Sequence, residues 1–66
     1  MDKVRLKHGT MLAGTYELKA PLYVDHPLTT ESLHLALMKA VSRGLVHYTP
    51  GPDPYVTIVG DVRERE

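Results

Sequence analysis

The chain has 66 residues, no cysteine, and 8 Lys+Arg against 8 Asp+Glu. A length of this order builds one domain, 1–66, that buries only about 60% of the surface its unfolded chain exposes. The missing cysteines exclude disulfides and thiolate metal sites, and the zero net charge argues against bulk attraction to nucleic acid or an anionic membrane. Met1 opens the chain, which reads as a complete small protein. No apolar run approaches the ~20 residues of a membrane span. MDKVRLKHG lacks the apolar centre of a secretory signal, so a cytoplasmic location is expected. Small domains without disulfides or metal are commonly stabilised by association.

Residues 3–8, KVRLKH, alternate with Val4 and Leu6 on one side and Lys3, Arg5 and Lys7 on the other, which predicts a half-buried strand. Gly9 and Thr10 suit a turn. Residues 15–24, TYELKAPLYV, alternate again. Tyr16, Leu18, Ala20, Leu22 and Val24 form one face, and Pro21 places this stretch at a sheet edge or a break. The period then changes. Thr29 is a good N-cap, Glu31 lies in the first turn, and Leu28 and Leu33 take the positions of a hydrophobic staple. Leu33, Ala36, Leu37, Ala40 and Val41 make a helical stripe, widened by Leu35 and Met38. Gly44 supplies the left-handed stop, with Leu45 placed to pack back on Ala40. A helix from Thr29 or Thr30 to Arg43 follows.

After it, LVHY and YVTIVGDV read as two strands, with TPGPDP as the turn between them. Val56, Ile58 and Val62 share one face of the second run, and Tyr55, Thr57 and Val59 the other. Residues 63–66 are expected to fray. The order is β-β-α-β-β, an α+β fold with one helix packed on a mainly antiparallel sheet of three or four strands. In order of elements this resembles β-grasp domains such as ubiquitin-like and immunoglobulin-binding modules.

The candidate sites are surfaces. His8, His26, His34 and His47 form no HxxxH or HxH pair, so neither metal nor cofactor is expected. No nucleophile elbow, phosphate loop or zinc-protease motif occurs, and a chain this small has little room for a typical buried pocket. A non-enzyme is therefore expected. The non-core sheet face carries Tyr23, Tyr55 and Val59, with Tyr48 or His47 joining according to register. Tyrosine offers large contact area at low entropic cost, so these residues are candidates for protein binding. Pro50, Pro52, Asp53 and Pro54 make a stiff loop beside Tyr48 and Tyr55, which suits docking with little loss of freedom.

Two readings follow. The first is a small protein-binding module, an inhibitor or regulator of a host protein of the kind found among bacterial and phage accessory proteins. It is expected to form a homodimer through a sheet edge or the Tyr23, Tyr55, Val59 face. The alternative rests on LMKAVSRGLVHYTPGPDPYVTIVG, which is similar to the recognition helix and wing of winged-helix regulators. That resemblance implies a small DNA-binding regulator using the helix and a wing-like hairpin. Lys3, Arg5, Lys7, His34 and Lys39 would then contact nucleic acid. Winged-helix domains have two further helices upstream, where residues 3–24 here read as strands.

Overall fold

Among the described residues, 3–65 of a computed structural model, the chain forms β1 (Lys3–Lys7), β2 (Gly14–Leu18), β3 (Leu22–Asp25), α1 (Thr30–Ser42), β4 (Val46–Thr49), β5 (Tyr55–Val59) and β6 (Val62–Arg65). The architecture is α+β, with one helix over a sheet of four strands. The expected order gains two strands because each long β run is interrupted once. Residues 15–24 break at 19–21, where Pro21 has no amide for a ladder. Residues 55–62 break at 60–61, where Gly60 holds φ +136° and a Cβ would sit 2.7 Å from that of Leu18.

The larger sheet has the order β1-β5-β2-β4, and β3 and β6 form a second, two-stranded sheet. The pairs β1–β5 and β2–β4 are antiparallel, whereas β2–β5 and β3–β6 are parallel. The four-stranded sheet is therefore mixed. Residues 63–65, expected to fray, belong to β6; Glu66 lies outside the described residues.

The two sheets are one parallel strand pair that turns a corner. Glu17 pairs with Val59, and the pairing resumes at Leu22 and Val62. Residues 18–21 on one strand thus oppose 60–61 on the other, and extra residues of this kind bend a sheet. Even-numbered positions face inward on both sides of the corner. Tyr16, Leu22, Val24, Val56, Ile58 and Val62 are all buried, with Leu33, Leu37 and Ala40 of α1 over them. Val4, Leu6 and Leu18 pack against this cluster. Ala20 falls in the break and is exposed. Val41, expected in the core, is 44% exposed because it sits on the flank of α1.

Both helix ends match the sequence. Thr29 Oγ1 accepts from the Ser32 amide at 3.1 Å, and Ser32 Oγ accepts from the Thr29 amide at 2.8 Å. This is a reciprocal cap with serine at the third helical position. At the other end Gly44 takes φ +72°, and the Leu45 amide donates to the Ala40 carbonyl at 3.0 Å.

TPGPDP is not a hairpin turn. β4 and β5 lie on opposite sides of β2 and do not pair, so residues 50–54 cross the N-terminal end of β2. Two interstrand spacings, about 9–10 Å, must be bridged. Gly14 lies at the crossing. A Cβ there would come within 2.6 Å of the Thr49 carbonyl and of the Tyr48 ring.

Tyr16 and Tyr48 are opposite each other on the inner face, with ring centroids 4.9 Å apart. The Tyr16 hydroxyl donates to the Leu12 carbonyl at 2.5 Å, and the Tyr48 hydroxyl donates to that of Ala13. Burial, and then the neighbouring Tyr48, push the Tyr16 pKa up. A phenol whose pKa is raised by folding leaves stability intact below its unfolded pKa, about 10, and erodes it as pH rises beyond that. Tyr16→Phe should lower neutral-pH stability by about 0.5–1.5 kcal/mol through the lost hydrogen bond. It should also flatten the alkaline fall, measured as urea midpoint against pH. An unchanged alkaline limb would show that Tyr16 ionises equally readily folded and unfolded.

Candidate functional site

The outer face of the four-stranded sheet collects the odd-numbered residues in rows. Lys3, Val59, Glu17 and His47 form the first row; Arg5, Thr57, Thr15 and Thr49 the second; Lys7 and Tyr55 the third. The basic stripe and the Tyr55–Val59 pair, read from sequence as alternatives, are thus neighbours on one surface. The Arg5 guanidinium lies 4.2 Å from the centroid of the Tyr55 ring, a cation–π contact.

The charge on this face is uneven. Glu17 is the one acidic residue in these rows, and among the described residues Lys3, Arg5 and Lys7 have no ion-pair partner. Acidic groups are instead engaged around β3 and β6. Asp25 meets Arg65 at 3.0 Å, Asp61 meets Arg63 at 2.8 Å, and Glu64 meets His26 at 3.1 Å. The Arg63 pKa is raised by its hydrogen bond to Asp61, then by the charge of that carboxylate. Segregation of this kind gives a neutral chain a locally positive surface. The exposed loop with Pro50, Pro52, Asp53 and Pro54 leads into Tyr55 and extends the face at that end.

Other candidates fall elsewhere. Tyr48 points inward and its hydroxyl is used. The register puts His47 outward instead. Tyr23 stands on β3, 51% exposed, across a cleft from Lys39 of α1. His34 reaches back from α1, its Nε2 3.0 Å from the Lys7 carbonyl. The nucleic-acid set is therefore divided between the outer sheet face and the helix. With β4 and β5 separated by β2, the wing-like hairpin does not form. The same cleft, of about 420 Å³, is partly open rather than a buried pocket.

Sequence reasoning missed Thr15, Glu17 and Thr49 as members of the outer face. Their parity marked them as outward, but only the register places them beside Thr57 and Val59. The four imidazoles lie at separate places: His8 after β1, His26 against Glu64, His34 against Lys7, and His47 on the outer face. No family model matches the chain, no curated protein matches it, and no solved structure matches it.

Proposed function

We propose that this chain is a non-catalytic protein-binding module that docks an acidic protein surface on the outer face of the four-stranded sheet. In the accessory-protein setting expected from sequence, the partner is a host protein that the chain inhibits or regulates. The observation that carries this reading is the adjacency of Tyr55, Val59 and three cations with no ion-pair partner among the described residues, all on one open face. β1 is an edge strand, and cations there also discourage strand-to-strand aggregation. That role alone asks nothing of Tyr55 and Val59 on the next strand. A protein partner is favoured over single-stranded nucleic acid because the face offers one phenol ring, already covered by Arg5, and one imidazole two strands away, where strand binding uses successive stacking platforms.

Capture from lysate of the source cell tests this. Arg5→Glu with Lys7→Glu should reduce partner capture at least about tenfold, while such exposed changes shift stability by only about 0.5 kcal/mol. Capture that survives both reversals would end this reading. Capture abolished by nuclease would transfer the face to nucleic acid.

Self-association belongs on a different surface, because two copies of the outer face would set lysines against lysines. A groove lined by Met11, Leu12, Tyr16, Met38 and Val41 carries no charged residue among the described residues, and Leu12 is 72% exposed. A homodimer through this groove buries apolar surface that 66 residues alone leave open. Light scattering should give twice 7.4 kDa for the wild type and a monomer for Leu12→Asp. A monomeric wild type at high micromolar concentration contradicts it.

A further inference from the structure

The cleft between β3 and α1 is a second surface, distinct from the outer sheet face. One wall is strand: Pro21, Tyr23 and Asp25 line it. The other is helix: Leu35, Lys39 and Arg43. Ser32 and Arg43 also line it, so the cleft follows α1 for about 16 Å at 1.5 Å per residue. That length accommodates about five residues of extended chain at 3.3 Å each. Its volume falls within the roughly 300–1,000 Å³ of ligand clefts.

The strand wall has backbone with no hydrogen-bond partner among the described residues. The amides of Leu22 and His26 donate to Asp61 and Arg65, both at 2.8 Å, so even-numbered positions face β6. By strand geometry the amides and carbonyls of Tyr23 and Asp25 face the opposite side. Among the described residues, β6 is the one strand paired with β3. Pro21 has no amide and is tolerated at such an edge. The helix wall supplies charge. Lys39 and Arg43 stand one turn apart, and neither has an ion-pair partner among the described residues, whereas Arg65 is held by Asp25. Leu35 and Leu45 are both exposed and both line the cleft.

We infer that this cleft takes an extended acidic peptide segment, which adds as a strand to the open edge of β3. Its backbone pairs with Tyr23 and Asp25. Alternate apolar side chains rest on Leu35 and Leu45, and a carboxylate meets Lys39 and Arg43. Strand addition takes its affinity from main-chain hydrogen bonds and its specificity from alternate side chains. A strand-and-helix groove with a basic rim provides for both.

The test is a random heptapeptide library displayed on phage and selected against the full chain. Enriched sequences should carry Asp or Glu with apolar residues at alternate positions. For a synthetic copy of an enriched peptide, Lys39→Glu with Arg43→Glu should weaken binding at least about tenfold at low salt, and Arg5→Glu with Lys7→Glu should leave it within about twofold. If the double reversal unfolds, Lys39→Gln with Arg43→Gln serves in its place and should weaken binding severalfold. Amide exchange at Tyr23 and Asp25 should slow on binding, and N-methylation of alternate peptide amides should abolish it. Failure to enrich any peptide overturns the inference. So does binding that leaves those two amides unprotected, or that follows Arg5 and Lys7 instead of Lys39 and Arg43. Because the two variant pairs lie on different surfaces, loss of this site leaves the outer-face reading standing, and the reverse.

Discussion

Leu37→Ala should destabilise the chain by roughly 2–5 kcal/mol, the cost of a cavity at a buried leucine. Leu37 is 0% exposed and lies in the cluster that joins α1 to Val24, Val56 and Ile58. At about 0.05–0.15 kcal/mol per residue, a chain of this size has only ~3–10 kcal/mol in hand. The substitution therefore removes a large share of total stability, and a sizeable unfolded fraction should appear before denaturant is added. Leu37→Met, which conserves volume, should cost less than about 1.5 kcal/mol. Urea unfolding of both variants checks this. A small loss for alanine would mean that α1 does not pack on the sheets through this face.

Replacing residues 50–54 by Asn-Gly should cost more still. A two-residue turn closes a gap between neighbouring strands, about 4.8 Å, and suits a hairpin. Here β4 and β5 are separated by β2, so the short turn cannot reach. To connect, β4 and β5 would have to pair with each other and expel β2, taking Tyr16 out of the core. The expected result is loss of the cooperative unfolding transition. The prolines make the long crossing stiff and lower the entropy lost on ordering it. A variant with Asn-Gly that folds and keeps the wild-type amide spectrum would show that β4 and β5 are a hairpin after all.

The helix was legible because every local signal agreed: Thr29 before it, the Leu33–Leu37–Ala40 stripe within it, and Gly44 after it. The inward parity of the strands was legible too, since alternation through Tyr16, Leu22 and Val24 persists across the corner at 19–21. Strand order was not legible. β5 enters between β1 and β2, and such pairing is decided by contacts distant in sequence that leave no local trace. That failure hid the crossing role of TPGPDP and the merger of the basic stripe with Tyr55 and Val59. The end of the chain was misread for a related reason. RERE looks like a solvated tail, yet the backbone of 63–65 pairs with β3, with Arg65 held to Asp25 and Glu64 to the Leu28 amide. Val41 shows the limit of a stripe reading. Helical spacing puts it near the core face, but the span before β2 covers that flank only in part, leaving the groove with Leu12.

Hydrogen–deuterium exchange on the chain, free and bound to its captured protein partner, tests the docking surface most directly. Each strand of the outer face reports through its own amides, and an interface of standard size, about 800 Å² per partner, covers several strands at once. The outer-face reading predicts slowed exchange across 3–7, 55–59 and the 51–53 stretch of the loop, with α1 little changed. Protection confined to α1 and the cleft beside it, with 3–7 and 55–59 exchanging as in the free chain, would contradict it.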